Sequence, residues 1–330
     1  MTPPDADLVT RFRADLERLI GAPARIGVAV SGGPDSIALL LLAQAAYGDR
    51  VAAATVDHRL RSESAEEAHF VARICAELGC AHSILPVEVP QGGAGIQGEA
   101  RRARYDALRA WAEAEMGEAL CTAHHADDQA ETLLMRLKRG AGLSGLAGIR
   151  PLRKEGKTLK IVRPLLGWRR RDLADVVTKA GIAAVDDPSN RDLRFDRAAM
   201  RQWLAAHPEF DPARLARSAA ALLEAEEGLA WAADRTFAER ARFEGGEWRI
   251  DVTGLPRALR RRLLAGAIAD LHARHSLSPA WTGQEDVEGL LHSLEAGSQA
   301  SLAGVLATGG AVWRVRPAPP RRPTGSRRAG

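Results

Sequence analysis

The sequence predicts an α/β protein: a doubly wound, mainly parallel sheet carrying an anion-binding loop, followed by a smaller, mainly helical domain. Three observations carry that expectation. In the first half, short runs rich in Val, Ile and Ala alternate with longer helical patterns, the order that yields a parallel sheet wrapped by helices. These runs lack strict polar alternation, as strands covered on both faces do. After Pro188 the texture turns helical, as in residues 211–242 with apolar Leu215, Ala219, Leu222, Leu223, Leu229 and Ala230. The boundaries read from this texture are 1–211 for the sheet domain, 212–313 for the helical domain and 314–330 for a disordered, basic Pro/Arg-rich tail.

Taken in order, the strands are expected at Ala24 to Val30, Val51 to Val56, Ser83 to Val89 and Ala119 to Ala123. Helices are expected at Ser36 to Ala46, Ser62 to Leu78 and Gln97 to Met116. Later strand-like pieces occur only near Glu247 to Val252 and Ala311 to Val315. Ligands of such sheets bind at the carboxyl ends of the strands. Function is therefore sought at Ser31 to Ser36, Asp57 to Arg61 and His124 to Glu131.

The longest apolar run, Ile37 to Ala46, is about half the roughly 20 residues of a spanning helix, so no membrane partner is expected. MTPPDADLVT lacks the apolar stretch of a secretory signal, which makes a cytoplasmic location the expectation. Cys75, Cys80 and Cys121 have neither the number nor the spacing of a disulfide framework or a CxxC site. The net charge of +4 is concentrated: Arg314 to Gly330 holds six arginines and no acid. A second block, Arg136 to Arg171, holds twelve Lys or Arg against Glu155 alone.

Some glycine patterns mislead. Gly93, Gly95 and Gly98, and again Gly140, Gly142 and Gly145, satisfy G-x-G-x-x-G, but neither has the strand, helix and acidic residue of a dinucleotide site. Gly156-Lys157-Thr158 lacks the first glycine of a Walker A loop, since Pro151 stands there.

Ser31-Gly32-Gly33-Pro34-Asp35-Ser36 follows the first strand and opens a helix. Backbone amides and the helix N-terminus there form an anion cradle, to which Ser31 and Ser36 add hydroxyls. Asp35 opposes an anion unless a divalent cation bridges it to the phosphates.

At the end of the fourth strand stands Cys121-Thr-Ala-His124-His125-Ala-Asp127-Asp128-Gln129-Ala-Glu131. A helix starting at Ala126 places Asp128 and Glu131 on one face, with Asp127 one step round. Two such carboxylates hold an ammonium group, bind a metal or act as bases; a capping role explains one acid only.

SGGPDS is the signature of the PP-loop, or N-type ATP pyrophosphatase, superfamily. Taken with HHADDQAETLLMRLKRGAGLSGLAGI, it resembles the tRNA(Ile)-lysidine synthetase family. Val56 to Arg61, Gln97 to Tyr105, Arg163-Pro-Leu-Leu, Arg171-Asp-Leu and Asp187-Pro188-Ser189-Asn190 agree in order, so the likeness runs from residue 27 to about 201. The stretch Phe195-Asp-Arg197-Ala-Ala-Met-Arg201 departs from the family's more arginine-rich pattern, keeping the outer arginines only.

The resemblance implies an ATP-dependent carbon–nitrogen ligase. The C2 oxygen of the wobble cytidine in the CAU anticodon of tRNA(Ile) is adenylated, and the ε-amine of free L-lysine then displaces AMP. It implies that Ser31, Gly32, Gly33, Pro34, Asp35 and Ser36 bind ATP, with Asp35 on Mg2+, and that Asp128 and Glu131 hold the lysine amine. Arg104 would stabilise charge, and His124 would meet the adenylate or relay a proton. The basic block becomes a tRNA surface, with Arg136, Lys138, Arg139, Arg150, Arg169, Arg170 and Arg171 as contacts, and the Arg257, Arg260, Arg261, Arg262 cluster is a second candidate by analogy. A homodimer is compatible with the sequence. The competing readings are tRNA 2-thiolation, which calls for catalytic or cluster-binding cysteines, usually with a CxxC that this chain lacks, a metal-dependent phosphohydrolase, another PP-loop amidating ligase, and a non-catalytic RNA binder.

Overall fold

The computed structural model describes residues 1–57, 63–87, 96–116, 119–155, 159–185, 196–283 and 285–319. The expected motif pieces at 58–61 and 187–190, Gly93 and Gly95, and the tail from 320 onward lie outside the described residues. The chain divides into two compact units, Met1–Leu223 and Glu224–Gly330.

The first unit holds a six-stranded sheet of β1 (Ile26–Ala29), β2 (Val51–Asp57), β3 (Ala81–Pro86), β4 (Ala119–Cys121), β5 (Leu152–Glu155) and β6 (Leu159–Val162). Its order is β3-β2-β1-β4-β6-β5, parallel except for β5, which pairs antiparallel with β6. Side chains of a strand alternate between faces, and here both faces are covered. Val28, Ala53, Ala119 and Cys121 join one core with Phe12, Leu16, Leu39, Leu42 and Val176. Ala52, Ala54 and Leu120 join another with Leu108 and Trp111. The doubly wound expectation holds.

Helices α1 (Ala6–Ile20), α2 (Pro34–Tyr47), α3 (Glu63–Leu78), α4 (Ile96–Trp111), α5 (Ala126–Lys138), α6 (Leu143–Leu146), α7 (Arg170–Lys179) and α8 (Asp196–Ala206) complete this unit, with the first part of α9 (Pro212–Arg240). The apolar run singled out in the sequence becomes α2, which is buried almost all round. A helix without a polar face is a core helix, and its apolar sides are met by α1 and α7 through Phe12, Leu16, Leu173, Val176 and Val177. The β5–β6 hairpin was not anticipated. It arises inside the basic block because Leu159, Ile161 and Val162 supply a buried strand beside β4, which carries β5 at the sheet's edge.

The division between the units falls within α9. The second unit holds α10 (Arg257–Arg274), α11 (Glu288–Glu295) and a five-stranded antiparallel sheet ordered β7 (Ala241–Glu244), β8 (Glu247–Asp251), β11 (Val312–Pro317), β10 (Val305–Thr308), β9 (Gln299–Leu302). Ile250, Leu264, Ile268, Leu291, Trp313 and Val315 form its core. The helical reading therefore gains a small sheet, and the tail boundary at 314 is corrected. Arg314 to Pro317 belong to the central strand, because buried Trp313 and Val315 alternate with outward Arg314 and Arg316.

Candidate active site

A cavity of about 490 Å3 opens at the carboxyl ends of β1, β2 and β4. Strand order reverses between β2-β1 and β1-β4 here, the place where open α/β sheets bind ligands. Ser31, Gly33, Pro34, Asp35 and Ser36 form one wall. Gly32 makes the turn behind them at φ +85°, a conformation natural to glycine, and its carbonyl accepts Val185 N–H at 3.1 Å. Ser36 shapes the loop: its Oγ accepts Ser31 N–H at 3.1 Å and donates to the Gly33 carbonyl at 2.9 Å. Pro34 occupies the first turn of α2, where its missing N–H costs nothing, and the remaining amides of that turn point at the cavity end.

The opposite wall is built by the start of α5. His125 is the N-cap: Asp128 N–H donates to its Nδ1 at 3.3 Å, and His125 N–H donates to Asp128 Oδ2 at 3.1 Å. This reciprocal cap sets Asp128 into the cavity. Burial works against ionisation of Asp128, but the charge of Arg197 and the hydrogen bond from His125 N–H hold it below the usual carboxylate range. His124 also lines the cavity, with Nδ1 3.0 Å from Thr122 Oγ1.

Glu131 departs from expectation. It does not line the cavity; its carboxylate is 1% exposed and is taken up by Arg201 at 2.8 Å and Arg197 at 3.4 Å. The expected amine-holding pair is thus split, and Glu131 serves two arginines of α8 that do line the cavity. Arg197 also donates to Thr132 Oγ1 at 3.0 Å. Arg104, Tyr105, Arg170 and Glu67 complete the charged and aromatic lining.

Gln129 of the same motif has a structural task. Its amide pairs with Ile149 in both senses, donating to the carbonyl at 2.9 Å and accepting the N–H at 2.6 Å. Arg136 completes that clamp by donating to the carbonyls of Gly145 and Gly148.

The basic block divides accordingly. Arg136 is spent on the clamp, Arg139 pairs with Asp196, and Arg169 bridges Asp127 at 3.2 Å and Asp211 at 3.1 Å. Arg170 is held by its backbone N–H on Asp127 and reaches the cavity. Lys138, Arg150 and Arg171 are exposed, Arg171 lying 3.5 Å from Asp172. In the second unit Arg257, Arg260 and Arg261 are matched by Glu288 and Glu295, and Arg262 by Glu226, which leaves that cluster little net charge.

His125, Arg197 and Arg201 were not among the expected site residues. The four-residue spacing of the two arginines marks one helix face, but their common partner Glu131 lies far away in sequence.

Comparison with known proteins agrees with this geometry. A sequence model of the PP-loop domain matches residues 8–207. A tRNA(Ile)-lysidine synthase of Zymomonas mobilis is 41% identical over 316 residues, 94% of each chain. One from Novosphingobium aromaticivorans is 44% identical, covering 95% of this chain and 94% of its own. The chain belongs to the tRNA(Ile)-lysidine synthase family. Family membership extends the likeness beyond the PP-loop domain and across the second unit. A solved U34-tRNA thiolase of Methanococcus maripaludis shares the fold, with TM-score 0.56 at 17% identity over 66% of this chain and 79% of its own. Among the described residues, no helix is long and apolar enough to cross a membrane.

Proposed function

We propose that this chain converts the wobble cytidine of a CAU-anticodon isoleucine tRNA to lysidine, using ATP and free L-lysine. The observation that carries the reading is one cavity joining the PP-loop to Asp128, Arg104, Arg197 and Arg201. In the first step the C2 oxygen attacks the α-phosphorus, the α–β anhydride breaks and pyrophosphate leaves. In the second, the lysine nitrogen gives up its ammonium proton to solvent water and bonds to C2, the C2–O bond breaks and AMP departs with that oxygen.

The amides opening α2 and the hydroxyls of Ser31 and Ser36 receive the pyrophosphate. Asp128, ionised at neutral pH, holds the lysine ammonium; its low pKa suits it to holding rather than to accepting the proton. Arg104, Arg170, Arg197 and Arg201 face the charge that develops on the phosphates. Asp35 suits a hard cation, because its Oδ1 is buried without a hydrogen-bond partner. Among the described residues no group of three His, Cys, Asp or Glu could hold a metal unaided, so phosphate oxygens would share the coordination, as they do around Mg2+. When bound, that ion neutralises charge between the transferring phosphates. The 2-thiolation alternative is not favoured: Cys75, Cys80 and Cys121 are all buried.

Incubation with ATP, Mg2+, labelled lysine and the tRNA transcript tests the reading. Lysine transfer with release of AMP and pyrophosphate is the expected result, and Asp35→Asn abolishes it in a folded protein. Turnover of ATP without lysine transfer would overturn it.

A further inference from the structure

His125 does not line the cavity, yet it is surrounded by the site's carboxylates. Its side chain is 1% exposed, and Nδ1 is occupied by Asp128 N–H, so the proton of the neutral ring resides on Nε2. Nε2 lies 3.4 Å from Asp35 Oδ2 and 3.5 Å from Asp128 Oδ2. Asp127 stands 3.8 Å from the other ring nitrogen and is itself fixed by Arg169 and the Arg170 amide. The neighbouring His124 lines the cavity, with Nδ1 3.0 Å from Thr122 Oγ1.

Asp35 rides on the first turn of α2 and Asp128 on that of α5, two helices that follow different strands of the sheet. Two carboxylates sharing one cavity repel each other. Nε2 of the imidazole lies within 3.5 Å of one oxygen of each, and a full arginine there would neutralise the charges that a cation and an ammonium are meant to find.

Resting on the function proposed above, we infer that His125 is a positioning residue for the reaction, whose single N–H ties Asp35 to Asp128 and keeps the nucleotide and lysine halves of the site in register. Misplacement of a reacting group by about 1 Å costs on the order of 100-fold in rate, so such a tie matters without touching substrate.

Two substitutions separate this role from simple capping. His125→Asn keeps a good N-cap acceptor but is too short to reach both acids, whereas His125→Gln gives up the preferred cap and retains an N–H at the reach of Nε2. With the full chain, tRNA transcript, ATP and Mg2+, Asn is expected to melt near wild type while the KM values for lysine and ATP both rise by roughly tenfold or more. Gln is expected to melt lower yet recover most of the lysine transfer. Wild-type kinetics in the Asn variant, a rise confined to one substrate, or a Gln variant no better than Asn would each overturn the inference. Failure of the wild-type chain to transfer lysine would instead sink the functional reading itself.

Discussion

At the residue scale, Glu131 lies outside the cavity lining although it belongs to the motif that supplies Asp128. It is buried, and its charge is spent on Arg201 and Arg197. Removing one partner of a buried ion pair strands the other, at a cost of about 2–3 kcal/mol here because Arg201 keeps some access to water. Glu131→Gln is therefore expected to lower the urea midpoint by that equivalent and to reduce lysine transfer through a displaced Arg201. Transfer lost with unchanged stability would restore a direct role for Glu131. His82 offers a pH test at the same scale. Burial pushes its pKa below the ordinary histidine value, and its Nε2 lies 2.9 Å from Thr55 Oγ1 on the cavity floor. A depressed folded-state pKa means that the stability it contributes is complete above about pH 6.5 and lost as pH falls through the lowered value. Wild type should thus lose melting temperature below pH 6.5 faster than His82→Gln, with the ring titrating by NMR below 6.5. The loop and Asp128 were legible in the sequence because their chemistry is local, a strand, a turn and a helix start within a few residues. Which of two adjacent histidines points inward was not, since it depends on the cap that forms only when α5 begins at Ala126.

At the element scale, α5 links the cavity to the segment that follows it. One end carries His125 and Asp128, while Gln129 and Arg136 grip the backbone of Gly145, Gly148 and Ile149. Gly148 sits at φ +70°, and a Cβ there would stand 2.4 Å from Gln129 Oε1. Backbone strain and loss of the amide pairing act together, so Gly148→Ala is expected to cost roughly 2–4 kcal/mol in urea unfolding and to shift Gln129. A change below about 0.5 kcal/mol, the scale of a neutral surface substitution, would show that the clamp is slack. The sequence marked this stretch as basic and glycine-rich, and its charge suggested RNA. The structure assigns part of that charge inward. Arg136 and Arg169 are structural because Gln129, Asp127 and Asp211 bring carbonyls and carboxylates to them across gaps that composition does not reveal.

At the scale of the whole molecule, the question is where the positive charge acts. Residues 320–330 hold four arginines and no acid, which equals the entire net charge of +4. The two arginines just before them, Arg314 and Arg316, belong instead to the central strand of the second sheet, where Arg314 pairs with Glu247 at 3.0 Å. A truncation after Pro319 therefore removes charge while leaving every strand of the second unit intact. Because phosphate contacts release counterions, this variant should melt with wild type and bind tRNA more weakly at low salt, with a shallower dependence of affinity on salt. A truncation after Trp313 removes most of β11, the strand that joins β8 to β10, and buried Val315 with it. Loss of a central strand divides the sheet, so the second unit should unfold cooperatively at a lower temperature while the PP-loop unit keeps its own transition. Calorimetry of the two truncations decides the matter: equal melting profiles would mean that β11 contributes no more than the residues beyond it.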